Sequence, residues 1–300
     1  MPHLSHARSS CPGPLRGCPL GSSRAAVSLA IAWRWLLVGF LAYVLATGPA
    51  TADFDEPVEL RYRFTWAGLP FAELGLRHAT NTAVYQTEIA IRTIGLADQV
   101  VGFRASSHAT GLYEEPDGFS ASRYRSASST YRKSRRILVR FDRETGDVIE
   151  LDLTRSGQPD RSKVPAALQK GVMDPLTAVL QMRHQLATAG DLDGYRAAVF
   201  DGRRRFDAEA KVMGRHRAQI AGRTWPVIEL EINLTWLAGA NSDDIDKAEA
   251  GDNRLRLQLL LSDDERLIPL RLSTMDSLIT ATAEIVAQCL APAGCTLVSG

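Results

Sequence analysis

The sequence predicts a mainly β protein: a strongly curved antiparallel sheet, or half-barrel, of roughly ten or eleven strands with one principal helix on its concave side. Three observations lead there. Apolar residues recur at every second position in segments spread from Val58 to Val286, the period of a strand with one wet face. Clusters of Gly, Pro, Asp and Asn separate those segments and turn the chain. A single stretch, Asp174-Pro175-Leu176 through Leu186, carries the three- and four-residue spacing of an amphipathic helix. A sheet of more than about ten strands curls, splits or closes to hide its edges. With one helix to cover one face, a half-barrel is the economical solution, and two packed sheets are the alternative.

Residues 1–52 contain Arg8, Arg16, Arg24 and Arg34 and no acid, then the apolar run Trp35 to Leu45, then Ala50-Thr51-Ala52. This is the pattern of a secretory signal peptide with an A-x-A cleavage site. The apolar run falls short of the roughly 20 residues that a spanning helix needs, so the segment reads as cleaved after Ala52 rather than kept as an anchor. Residues 53–300 then form a single β-rich domain in the periplasm, since no Pro/Ser linker divides them. Losing four arginines and no acid takes the net charge from +1 to −3. Nucleic acid is a poor partner for such a chain, because that binding needs a concentrated basic surface.

Val58 to Trp66 alternates without a break, and Gly68-Leu69-Pro70 turns it into a second strand from Phe71 to His78. Tyr85, Thr87, Ile89 and Ile91 mark a third, after which Leu96 to Phe103 reads as one helical turn or a loop. From Arg104 to Leu153 the strands are broken at Glu115-Pro116-Asp117-Gly118 and at Asp142 to Gly146, both turn sequences. Gln158 to Gly171 is a polar connection. In the helix that follows, the Asp174 carboxylate suits the free N–H groups of the first turn and Pro175 suits the next position, where no donor is needed. Leu176, Val179, Leu180 and Leu186, with Met182 at the margin, form its apolar face. Asp201-Gly202 is a hairpin signal between Tyr195–Phe200 and Arg205–Met213. Alternation resumes over Ile228 to Leu234 and Leu255 to Leu261, and Arg266–Leu272 and Ser277–Val286 finish the sheet.

Cys11 and Cys18 leave with the signal peptide, while Cys289 and Cys295 flank a Pro/Gly turn. In an oxidising compartment such a pair is expected to form a disulfide, and the Cys-x-x-Cys spacing of a redox or metal site is absent.

Tyr62-x-Phe64-x-Trp66-x-Gly68, the helix from Asp174-Pro175-Leu176 to Arg183, the turn Asp201-Gly202 and the late segment Ser262 to Pro269 occur in an order that resembles the bacterial domain-of-unknown-function family 3108. The resemblance covers nearly all of the mature chain. It implies a secreted or envelope domain without an established activity and supplies no catalytic residues. More distantly, the expected shape is similar to the open barrels of periplasmic lipoprotein and lipid carriers. Those carriers often begin with a helix under the sheet, whereas this chain begins with a strand.

No Gly-x-Ser-x-Gly elbow, His-Glu-x-x-His pair or phosphate-binding glycine loop is present. His78, His108, His184 and His216 are scattered, so neither a metal nor a cofactor is expected. Asn241 to Glu249 is rich in oxygen ligands but has no Gly where a calcium loop turns. Arg132, Lys133, Arg135 and Arg136, with Arg203, Arg204 and Arg205, are basic clusters that would attract lipid phosphates if they met at one rim. Separately, they read as solvated faces.

These features favour a non-enzymatic periplasmic protein whose concave face holds an acyl chain, a lipid or an apolar segment of an envelope protein. Tyr62, Phe64, Trp66, Leu176, Val179, Leu180 and Met182 would line the cleft. An assembly or scaffold protein acting through a sheet edge is a second class. A hydrolase with a polar triad facing the cleft is a third.

Intact-mass measurement of the exported protein should give a chain beginning at Asp53, and alkylation without reduction should add nothing at Cys289 or Cys295. Full-length chain in the membrane fraction, or two alkylated thiols, would overturn the respective expectation.

Overall fold

Strands form where the alternation begins. In the computed structural model, residues 58–81, 83–239, 253–275, 280–290 and 294–297 are described; the expected signal peptide and the Asn241–Glu249 segment lie outside them. β1 (Val58–Trp66) buries Leu60, Tyr62 and Phe64 and leaves Arg61 and Arg63 exposed. β2 (Leu69–Asn81) and β3 (Val84–Thr93) continue the same two-faced pattern, with Leu74, Leu76, Tyr85 and Ile89 inward. The stretch expected to be one helical turn or a loop holds a seven-residue helix, α1 (Gly95–Val101). Then come β4 (Arg104–Glu114), β5 (Gly118–Ser129), β6 (Ser134–Phe141), β7 (Val148–Arg155) and the two-residue β8 (Gln158–Pro159). After the principal helix α2 (Pro175–Ala189) follow β9 (Arg196–Phe200), β10 (Arg205–Ile220), β11 (Arg223–Ala238), β12 (Arg254–Ser262), β13 (Pro269–Thr274), β14 (Ala281–Leu290) and β15 (Gly294–Leu297).

All of them belong to one antiparallel sheet, ordered β8-β7-β6-β5-β4-β3-β2-β1-β14-β13-β12-β11-β10-β9, with β15 beside β14. The fold is therefore mainly β with a covering helix, but the described residues form fifteen strands rather than roughly ten or eleven. The surplus comes from short pieces such as β8 and β15, too short to show a period. The expected strong curl into a half-barrel is also corrected. The sheet is an open path, and no ladder joins β8 to β9 among the described residues. Both ends of the path are blocked for physical reasons. Pro159 has no N–H to donate. At the other end Met173 occupies the β9 edge: its N–H donates to Ala198 O at 3.0 Å and its carbonyl accepts from Phe200 N–H at 2.9 Å.

The register of β14 and β15 sets Cys289 opposite Cys295, the pairing that the expected disulfide requires.

Asp174 caps α2, accepting from Leu176 N–H at 2.8 Å and Thr177 N–H at 3.1 Å, and Gly190 ends the helix with its N–H on Leu186 O at 2.9 Å. One broad apolar face was expected, but Asp174 to Leu180 are buried without interruption. A helix buried all round must be covered on more than one side. The β4–β5 hairpin covers one side of α2, and Tyr195 just before β9, with Ala208 and Ala210 of β10, covers another. The turn after β9 reaches as far as β6, where Gly202, at φ +88°, lies so close to Ile137 that a Cβ would collide with it.

The Leu180 side chain is 0% exposed. Leu180→Ala should therefore cost about 2–5 kcal/mol in chemical denaturation, because a cavity opens in a filled core. A cost well below that range would mean that space or solvent already borders Leu180.

Candidate functional site

A concavity lies on the face of the sheet opposite the Leu60, Tyr62 and Phe64 side chains. Register builds it. Cross-strand pairing aligns Arg61, Gly75, Ala90, Ser106, Ala127, Arg136 and Thr154 in one row across β1 to β7. Two residues along, on the same face, Glu73, Arg92, Arg104, Ser129 and Ser134 form a second row. With Val286 and Ala287 of β14 these rows enclose a groove of about 1060 Å³. Seven interstrand steps of roughly 4.8 Å, from β14 to β7, make it roughly 34 Å long.

Small side chains make the floor. Gly75 has ordinary strand dihedrals, and a Cβ built on it meets nothing within 4 Å, so the missing side chain opens directly into the groove. Arginines make the walls. Arg92 pairs with Glu73 at 2.8 Å, Arg104 with Asp98 at 3.2 Å and Arg61 with Glu59 at 2.9 Å. All three arginines are more than half exposed at the side chain, and pairs this wet contribute little to stability.

Of the residues expected to line a ligand cleft, Tyr62 borders the groove, and the other six are not among its lining residues. Tyr62, Phe64, Leu176, Val179, Leu180 and Met182 are all buried, and Trp66 is half-buried. Beside the helix, Ala178, Val179 and Met182 face Tyr195, Ala208 and Ile232 across a space of about 20 Å³, room for one water at most. The space beside the helix is thus nearly filled. The groove on the other face went unnoticed because its floor is made of Gly, Ala and Ser, which carry no hydrophobic signal. What pointed to it was the run of arginines without acids from Arg123 to Arg140.

The two basic clusters meet only in part. Arg132 and Lys133 are exposed in the β5–β6 turn, whereas Arg135 approaches Arg203 and Arg204. Burial, with Arg135 and Arg204 nearby, brings the Arg203 guanidinium down to about 10. Asp201 offsets that crowd by pairing with Arg204 at 2.8 Å, and Arg205 pairs with Asp207 at 2.7 Å.

Polar groups in the core serve the helix. Thr177 Oγ1 donates to Asp174 and shares a hydrogen bond with Tyr85 OH, Tyr195 OH donates to Ala178 O at 2.6 Å, and Arg183 donates to Arg266 O at 2.7 Å. Each of the four described histidines has a different partner: His78 meets Thr87, His108 meets Gln86, His184 donates to Pro116 O and His216 lies 3.6 Å from Glu229. His78 and Thr87 are sealed from solvent at 2% and 0% exposure, so no substrate reaches them. Among the described residues no three His, Cys, Asp or Glu side chains converge as metal ligands. Nor is any helix there long and apolar enough to cross a membrane.

The family model described as "Protein of unknown function (DUF3108)" matches residues 61–286. No curated protein matches the chain. Among solved structures, a β-barrel-like protein of domain of unknown function DUF1849 from Brucella abortus is 14% identical with a TM-score of 0.46, covering 79% of this chain and 98% of its own. A candidate lipoprotein from Parabacteroides distasonis is 6% identical with a TM-score of 0.29, covering 82% and 96% respectively. A candidate exported protein with a YmcC-like fold from Bacteroides fragilis is 4% identical with a TM-score of 0.27, covering 80% and 97%.

Two buried groups give stability opposite slopes with pH. Burial outweighs the cap's hydrogen bonds and raises the Asp174 carboxyl to about 6. The folded state then holds that proton more tightly than the unfolded chain, so this contribution is largest below about pH 4 and is lost as pH rises through about 6. Burial, then the Arg183 charge, lowers His78 to about 3. Its contribution is complete above the ordinary histidine range and is lost on acidification. The unfolding free energy of the wild type minus that of Asp174→Asn should fall between about pH 4 and pH 7, because the His78 contribution cancels in the difference. A flat difference would mean that the Asp174 carboxyl titrates like a solvated one.

Proposed function

Because the chain belongs to DUF3108, a family described only as of unknown function, its role must be argued from its own surfaces. We propose that it is a non-enzymatic envelope protein that holds an elongated ligand with apolar surface in the groove across β14 and β1–β7. The observation that carries this reading is the contrast between two spaces: about 1060 Å³ in the groove against about 20 Å³ beside the helix. The first is at the upper end of the roughly 300–1,000 Å³ typical of small-molecule sites. The second holds no organic ligand. Export rests on the signal-peptide pattern of residues 1–52.

Scaffolding through a sheet edge has less support. Met173 occupies the β9 edge, and on the other side the exposed Glu150 and Asp152 of β7 discourage pairing with a further strand.

Gly75→Leu tests the groove reading. The added side chain enters open space, so thermal melting should change by no more than about 2 °C, a shift that corresponds to less than about 1 kcal/mol. Binding of N-phenyl-1-naphthylamine, a neutral apolar fluorophore, should fall at least about fivefold, or by about 1 kcal/mol. Absence of binding to the wild type, or equal binding to both, would remove the groove reading.

A further inference from the structure

We propose that the ligand of this groove is an amphiphile with an anionic head, held between Arg104 and Arg136 over Ser129 and Ser134, with its apolar tail crossing β3, β2 and β1 towards β14. This rests on the groove reading above and adds the chemistry of the ligand.

The groove is graded along its length. At the β14 end Val286, Ala287, Gly75 and Ala90 offer carbon surface and no side-chain hydrogen bond, while Arg61 and Arg92, which border them, are already paired with Glu59 and Glu73. Towards β4 to β7 the lining turns to hydroxyls, with Ser106, Ser129, Ser134 and Thr154. Register puts Ser129 opposite Arg104 on one side and Ser134 on the other, while Arg136 lies two residues beyond Ser134. Two interstrand steps and two residues along the strand separate the Cα atoms of Arg104 and Arg136 by roughly 12 Å. Two arginine side chains of ordinary length span that gap to one anion from opposite sides.

Charge complementarity selects the sign of the head. β5 and β6 carry Arg123, Arg125, Arg135, Arg136 and Arg140 and not one Asp or Glu. This concentration occurs in a chain whose mature form has a net charge of −3. Arg136 makes no ion pair among the described residues, and its cross-strand neighbours are Ala127 and Thr154. The Ser129 and Ser134 hydroxyls likewise have no hydrogen-bond partner among the described residues. Arg104 pairs with Asp98 at 3.2 Å, in an exposed pair that an incoming anion shares rather than breaks. Two guanidiniums and two unused hydroxyls at one end of an apolar floor are what a phosphate or carboxylate on a hydrocarbon chain requires.

The cluster of Arg135, Arg203 and Arg204 is a weaker anion site, because Asp201 and Asp160 stand among its charges.

The test is calorimetric titration of the mature protein at pH 7.5 with dodecyl phosphate, dodecyl maltoside and dodecyltrimethylammonium, each below its micelle concentration, and with inorganic phosphate. Dodecyl phosphate should bind at least about tenfold more tightly than the neutral and cationic amphiphiles, a difference of about 1.4 kcal/mol. Inorganic phosphate should bind far more weakly than dodecyl phosphate. Arg136→Gln and Arg104→Gln should each erase most of the preference for the phosphate head while leaving dodecyl maltoside affinity and the melting temperature unchanged. Equal affinity for all three amphiphiles, lost in Gly75→Leu, would overturn the anionic head and keep the groove. No binding of any amphiphile would overturn both. Inorganic phosphate binding as tightly as dodecyl phosphate would overturn the tail and leave a simple anion site.

Discussion

The burial of the Asp174 carboxylate at the start of the principal helix is the constraint on which the rest of the structure depends. A helix whose first seven positions from Asp174 to Leu180 are all buried brings free N–H groups and hydroxyls into a dry interior, where each unsatisfied group costs roughly 1–3 kcal/mol. The cap carboxylate takes two backbone N–H groups and the Thr177 hydroxyl, and Tyr85 on β3 joins the same network. Tyr195 satisfies the Ala178 carbonyl from the far side, and the Arg183 guanidinium reaches Arg266 O beyond β12. These bonds seat the helix at one depth and one rotation against strands that are far apart in sequence. The Tyr85 side chain of β3, the Tyr195 side chain just before β9 and a backbone carbonyl of the β12–β13 turn meet on a single short cylinder.

That seating decides which face of the sheet is free for function. The helix packs on β4, β5 and β9, the β9–β10 turn packs on Ile137, Val139 and Leu153, and Leu60, Tyr62 and Phe64 are buried on that same face. The opposite face meets the contrary condition. Its central row is Gly75, Ala90, Ser106 and Ala127, residues too small to cover their own backbone, so the surface between the flanking arginines stays hollow. The buried face is thus made rigid by polar bonds that exclude water, and the wet face keeps charged side chains whose ion pairs cost little to rearrange. A fixed scaffold with an adaptable rim suits the proposed role of holding a ligand.

The sequence by itself determined the local structure wherever a period or a cap had a physical cause inside a few residues. Alternation fixed the faces of β1, β2 and β3, because side chains on a strand point to opposite sides at every step. Asp174-Pro175 fixed the start of the helix, because a carboxylate and a residue without an N–H are what that position requires. Asp201-Gly202 marked the turn between β9 and β10. Tertiary structure alone decided the number of strands, the open order of the sheet, and the covering of the helix on more than one side. Those depend on which segments meet, and β8, β15 and the bridge at Met173 are too short to announce themselves. It also decided where a cavity lies. Large apolar residues in a sequence mark what will be buried, and Tyr62, Phe64 and Leu180 were rightly read as inward, but inward positions are filled by the packing that buries them. The groove is the product of small residues brought into one row by the register of seven strands, and register is a property of pairing that no single strand contains.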